Sequence, residues 1–115
     1  MGSKLVRTGD AASVVMTNDI NTTGTIEFED DSGILFFLPA GWTTCTVTFY
    51  GKSPENDAWY PIQSWNGTDL SNLTMDAEAS KAIGLPSEAF PAHQLRVVTD
   101  NSSNNAIEVG YTTKG

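Results

Sequence analysis

The sequence contains one histidine, and its surroundings limit the chemistry that it can support. His93 stands in the segment 90–94 without a cysteine or a second histidine nearby. Zinc sites take several nitrogen or sulfur ligands, which excludes a histidine-based zinc site. The composition permits a Ser-His-Asp triad, but the chain has no G-x-S-x-G motif that would set up a nucleophile. A structural or solvated role is the favoured interpretation of His93.

A cluster of acidic residues is the next candidate for chemistry. Glu27, Glu29, Asp30 and Asp31 surround one predicted turn. Oxygen-rich loops can hold Ca²⁺, but this spacing does not match the alternating ligands of an EF-hand. A solvated acidic turn is favoured over a calcium site. The sequence also lacks the glycine-rich motifs that bind phosphate groups. We therefore expect no enzymatic activity, no metal and no cofactor.

The aromatic residues offer a binding function instead of a catalytic one. Aromatic rings have apolar faces that suit stacking on sugars, and nearby amides can bind hydroxyl groups. Such rings also serve as core or interface residues, and this packing role is favoured over sugar binding. The candidates lie near loops rich in Asn, Asp and Thr and are Trp42, Trp59, Tyr60 and Trp65.

Charge and hydropathy exclude two classes of partner. The chain carries 14 acidic and 6 basic residues, with a net charge of −8. This charge repels phosphate, so we expect no nucleic-acid partner. The longest apolar run covers residues 34–38, which is too short to span a membrane. The N-terminal residues lack the pattern of a signal peptide.

The N-terminal segment differs in charge from the rest of the chain. Residues 1–10 contain Lys4 and Arg7 but only one acid, Asp10. Two interpretations remain open, a frayed terminus and a basic arm that binds an acidic neighbour. We treat residues 1–10 as an N-terminal arm and residues 11–115 as one domain.

Strict alternation in residues 42–51 predicts a half-buried β-strand. Cys45, Val47 and Phe49 share one side of this strand, and threonines occupy the other. Cys45 is the single cysteine, so an intrachain disulfide is impossible and a buried, inert thiol is expected.

The remaining chain repeats short β patterns between turn signals. About eight strands without a convincing helix are typical of an antiparallel β-sandwich, either jelly-roll-like or immunoglobulin-like. Pro61 indicates an edge position or a bulge, and Asn66-Gly67 indicates a tight turn. Residues 76–85 form a strand or a connection, and residues 86–90 form one helical turn. The predicted strands are residues 12–17, 24–28, 34–38, 42–52, 59–65, 70–75, 94–99 and 106–112.

One predicted strand, residues 34–38, is apolar on both faces. A sheet of a two-layer sandwich exposes one face to water, so this strand needs a second cover. A loop, the N-terminal arm or a neighbouring subunit can supply the cover. We predict a homo-oligomer and assign self-association to Ile34, Phe36 and Leu38.

Several segments resemble small all-β virion proteins of tailed bacteriophages. The similarity covers residues 42–112. Its motifs are V-T-F-Y-G-K-S-P-E-N-D-A-W-Y-P-I at 47–62, the Asn-Gly-Thr turn at 66–68, K-A-I-G-L-P-S-E-A-F at 81–90 and Q-L-R-V-V-T at 94–99.

The resemblance implies a structural protein on the outer surface of a capsid, of the decoration, cement or head-fibre type. The implied partner is the major capsid protein, and a trimer is the favoured oligomer. We expect capsid anchoring by Lys4, Leu5, Val6 and Arg7. Two alternatives stay open: a carbohydrate- or receptor-binding module that uses the four aromatic residues, and a tail or head-completion component.

Overall fold

The computed structural model describes residues 11–27, 33–89 and 91–114. This part of the chain is all-β, with 3₁₀ turns at Ser87–Ala89 and Ser102–Asn104. Within it, no helix has the length and hydropathy needed to cross a membrane. The strands are β1 (Ala11–Val15), β2 (Thr25–Glu27), β3 (Gly33–Phe37), β4 (Cys45–Lys52), β5 (Trp59–Pro61), β6 (Gln63–Trp65), β7 (Leu70–Asn72), β8 (Thr74–Ala77), β9 (Ala82–Gly84), β10 (Gln94–Thr99) and β11 (Glu108–Lys114).

The strands form two main antiparallel sheets. Sheet one has the order β1-β11-β3-β9, and sheet two has the order β2-β10-β4-β5 with β8 also paired to β4. The pairings β1–β11, β2–β10, β3–β9 and β4–β8 are nested, as if one long hairpin had been folded over. This nesting is the strand order of a jelly roll. It differs from an immunoglobulin sandwich, in which the first two strands are neighbours. The predicted β-sandwich is confirmed.

The core lies between the two sheets and follows the alternation of the sequence. On β4, Cys45, Val47 and Phe49 point inward and are buried, as predicted. Phe36 of sheet one belongs to the same buried cluster and is fully enclosed. Burial of a side chain of this size stabilises the fold by about 1.5–3 kcal/mol. Phe28, the last residue of the predicted strand 24–28, lies outside the described residues.

A hairpin formed by β6 and β7 extends from the edge of sheet two at which β5 and β8 pair with β4. β5 pairs with the C-terminal part of β4, and β8 pairs with its N-terminal part. At the junction, the Ile62 amide donates to the Phe49 carbonyl at 2.9 Å, and the Leu73 amide donates to the Ile62 carbonyl at 2.7 Å. Beyond this point β6 and β7 pair with each other. Pro61 ends β5 on the sheet edge, which confirms the predicted position.

Buried polar groups fix the connections between the sheets. Asn104 is fully buried, and its Oδ1 accepts from the Thr43 amide at 2.7 Å. Its Nδ2 donates to the Thr43 carbonyl at 2.8 Å and to Cys45 Sγ at 3.3 Å. Thr23 is buried as well and donates to the Val97 carbonyl at 2.7 Å. These bonds satisfy polar groups that would otherwise destabilise the core.

Candidate binding surfaces

The residues of the third predicted strand that were assigned to self-association lie in the core. Ile34, Phe36 and Leu38 are buried in the core of the protomer, so the side chains assigned to self-association do not reach the surface. The outward side chains are Leu35 and Phe37, with 39% and 44% of their surface exposed. The assignment of faces is therefore corrected, because the inner row of β3 fills the space opposite β4.

Small neighbours leave the outward side of β3 uncovered. Leu35 is paired with Gly84 on β9 and with Thr112 on β11. A side chain added at Gly84 would meet no atom within 4 Å, which shows how open this position is. We call this surface the outer apolar face, and its members are Leu35, Phe37, Ala82, Gly84, Gly110 and Thr112.

Trp42 is part of the core and cannot stack on a sugar. It is 3% exposed, and its Nε1 donates to the Ala77 carbonyl at 3.2 Å. A buried indole N–H requires such a partner. The assignment of Trp42 to glycan contact is therefore wrong, because its ring is enclosed in the core.

Trp59 is half-buried, and the side chain of Arg96 lies over the face of its ring. The Arg96 guanidinium carbon lies 4.3 Å from the ring centroid, and Lys52 Nζ lies 5.9 Å away. Arg96 is held in place because its Nε donates to Thr25 Oγ1 at 2.8 Å and its Nη1 donates to the Ile20 carbonyl at 2.8 Å. This cation–π contact makes Trp59 part of the cover of sheet two.

Tyr60 and Trp65 are the exposed members of the predicted aromatic set. Tyr60 is 52% exposed, and its hydroxyl accepts from Asn56 Nδ2 at 3.0 Å. Trp65 is 63% exposed and lies on β6 opposite Leu70, which is equally exposed. Tyr60 belongs to β5, at the edge of sheet two, whereas Trp65 belongs to β6, so the two rings lie on different strands.

His93 lines an open cleft together with Lys52, Asp57 and Gln94. The cleft has a volume of about 150 Å³. Lys52 and Asp57 line part of it and form an ion pair of 3.6 Å. Among the described residues, no three His, Cys, Asp or Glu side chains are placed to hold a metal ion. Of the predicted acidic cluster, Glu27 accepts from Gln94 at 2.6 Å, and the other three acids lie outside the described residues.

Cys45 is a structural thiol. Burial raises its pKa, and the nearby Asp100 carboxylate raises it further. The thiolate is the reactive form of cysteine, so these effects suppress nucleophilic chemistry at neutral pH.

Comparisons of the chain with known protein families, with curated proteins and with solved structures find no match.

Proposed function

We propose that this chain is a non-enzymatic structural protein of a bacteriophage virion. It decorates the outer capsid surface, binds the major capsid protein and stabilises the shell by bridging neighbouring subunits. The observation that carries the proposal is the outer apolar face, with Leu35 and Phe37 exposed at its centre. Large apolar side chains grouped on one surface of a soluble domain mark contact sites.

A second copy of the same chain is the proposed occupant of the outer apolar face. None of the side chains on this face is charged, whereas the chain as a whole carries a net charge of −8. Copies with this net charge repel each other, and a contact through a neutral surface keeps like charges from being brought together at the interface. On this face the large, exposed side chains of Leu35 and Phe37 lie next to the small residues Gly84 and Ala82. Large side chains beside small residues suit packing against a second copy of the chain.

The proposed anchor is the N-terminal arm with Lys4, Leu5, Val6 and Arg7. These residues lie outside the described part of the chain, which begins with β1. Ala11 is paired with Thr112, which is itself paired with Leu35 of the outer apolar face. β1 therefore begins beside the row that contains Leu35. A basic arm there would bind an acidic neighbour while the acidic domain stays outside the shell.

The mechanism is the addition of many weak contacts. Each copy contributes an arm and an apolar face, and several copies linked together engage the shell at once. Linked binding sites raise the overall affinity by orders of magnitude because later contacts form at a high effective concentration. A jelly roll with a single continuous core supplies a rigid support for both surfaces.

Cosedimentation with DNA-free shells of the candidate phage tests this function. The wild-type chain should saturate the shells at a high copy number. Deletion of residues 2–10 should abolish binding and preserve the far-UV circular dichroism spectrum. Phe37→Ser should weaken binding, whereas the matched exposed variant Tyr60→Ser should not. Absence of binding by the wild-type chain contradicts decoration, and saturation at a few copies favours a tail or head-completion component.

A further inference from the structure

The hairpin of β6 and β7 has two chemically different faces. Its register pairs Gln63 with Asn72, Ser64 with Ser71, and Trp65 with Leu70. Side chains alternate across a strand, so the first and third pairs share one face and the serines share the other. We call the first of these the hairpin face, which consists of Gln63, Trp65, Leu70 and Asn72.

The serine side of the hairpin is fixed to the body of the protein. Ser64 Oγ donates to Glu88 Oε2 at 2.8 Å, and Glu88 belongs to the 3₁₀ turn that follows β9. This hydrogen bond is the main cause of a lowered pKa at Glu88. Because the serine side is attached, the hairpin face is directed away from the body, and both Trp65 and Leu70 are 63% exposed.

The turn at the end of the hairpin holds Trp65 in position. The Asn66 amide donates to the Asp69 carbonyl at 3.0 Å. Asn66 Oδ1 accepts from the amides of Thr68 at 3.0 Å and Asp69 at 2.9 Å. Gly67 has a φ of 98°, which glycine adopts without strain. A platform that is ordered before binding loses less entropy when a ligand arrives.

The chemistry of the hairpin face suits a sugar. Trp65 offers an aromatic surface for the C–H side of a pyranose ring. Gln63 Nε2 donates to Asn72 Oδ1 at 3.2 Å, which aligns the two amides beside the ring. An amide has two donor hydrogens and an acceptor oxygen, so each member of this pair retains capacity for hydroxyl groups.

The size of the hairpin face favours a sugar over a protein. Strands of three residues separated by one interstrand spacing give a surface of about 10 Å by 5 Å. Stable protein interfaces involve about 20–30 residues on each side. The hairpin face accommodates only one or two pyranose rings. No member of this face is charged, and the net charge of −8 disfavours acidic sugars.

We propose that the hairpin face is a binding site for neutral saccharides, with Trp65 as the stacking platform and the Gln63–Asn72 pair as the hydroxyl-binding group. This inference goes beyond decoration, since it gives the chain itself an affinity for glycans. It does not depend on decoration, because the site is complete in one chain.

A glycan array carrying neutral trisaccharides of glucose, galactose, mannose and N-acetylglucosamine tests the site, with a sialylated trisaccharide as the acidic probe. The free protein should bind at least one neutral probe and not the acidic one. Trp65→Ala should reduce the affinity at least about tenfold, and Gln63→Ala should reduce it less. Tyr60→Ala, a matched exposed aromatic outside the hairpin face, should have no effect.

Acrylamide quenching supplies a second measurement on the wild-type protein. Trp42 is buried and Trp59 is covered by Arg96, so quenching reports mainly on Trp65. The bound saccharide should protect this fluorescence. An array without a neutral hit overturns the proposal, as does binding that survives Trp65→Ala or is lost with Tyr60→Ala. Failure on the array leaves the shell experiment unaffected, because the array uses free protein.

Discussion

The outer surfaces of the two sheets are covered in different ways. On sheet two, Arg96 lies over the ring of Trp59, and Gln94 is bonded to Glu27 on the neighbouring strand. On sheet one, Leu35 and Phe37 have no comparable cover because Gly84, Ala82 and Gly110 lie beside them. Sheet two therefore shields its own outer surface, and sheet one leaves apolar surface exposed.

The difference is caused by the side chains that flank β3 in sheet one and β4 in sheet two. Cross-strand neighbours stabilise a sheet when both members have side chains that can touch. Long side chains on β5 and β10 reach across β4, whereas glycine and alanine on β9 and β11 cannot reach across β3. An outer surface that its own sheet leaves open is available to another molecule, which is the basis of the proposed self-association.

The largest expected effect separates the two faces of β3 itself. Phe36→Ala should lower the free energy of unfolding by about 3–5 kcal/mol because it creates a cavity in the core. Phe37→Ala should lower it by less than about 1 kcal/mol in the isolated protomer, since this ring packs mainly on the surface. Urea denaturation monitored by circular dichroism measures both values. Equal losses for the two variants would show that the inside and outside of β3 are not distinct.

The next effect concerns the cover of sheet two. Arg96→Ala removes two hydrogen bonds and the cation–π contact, so we expect a loss of about 1–2 kcal/mol in unfolding free energy. Arg96→Lys retains the charge but loses the planar geometry, and an intermediate loss should result. Denaturation of the two variants together with the wild type measures the difference. If Arg96→Ala has the stability of the wild type, the cover of sheet two is incidental.

The smallest effect lies at the hydrogen bond that links the hairpin to the 3₁₀ turn after β9. Ser64 lowers the pKa of Glu88, so the bond favours the ionised carboxylate. Its contribution to stability is present above the ordinary pKa of glutamate and is lost as the pH falls through the lowered pKa. In an NMR titration, Ser64→Ala should raise the pKa of Glu88 towards its ordinary value. An unchanged titration would indicate that the hairpin is not fixed through Glu88.

The sequence predicted the β-sandwich and the orientation of β4 because the two rows of β4 differ chemically. Its inward row is Cys45, Val47 and Phe49, and its outward row begins with threonines. The same reasoning failed on β3 because both of its rows are apolar. The deciding residues, Gly84 and Gly110, are distant in the sequence and become neighbours only through the pairing of β9 and β11 with β3.

Three other features required tertiary information. β9 consists of Ala82–Gly84, which has weak strand propensity, and it is held by its pairing with β3. The Gln63–Asn72 pair depends on the register of the hairpin, which the Asn66-Gly67 signal alone does not determine. Trp42 offered no signal either, because a tryptophan beside a polar loop is compatible with both burial and exposure.

The molar mass in solution, measured by light scattering at micromolar concentration, tests self-association through the outer apolar face. The molar mass of the wild-type protein should be two or more times the protomer mass of 12.3 kDa, as a whole-number multiple. Gly84→Arg, which extends a long side chain over the outer apolar face, should return the mass to that of the protomer. Gly41→Arg adds the same charge at an exposed turn and should leave the oligomer intact. A wild-type mass of 12.3 kDa would contradict self-association through sheet one.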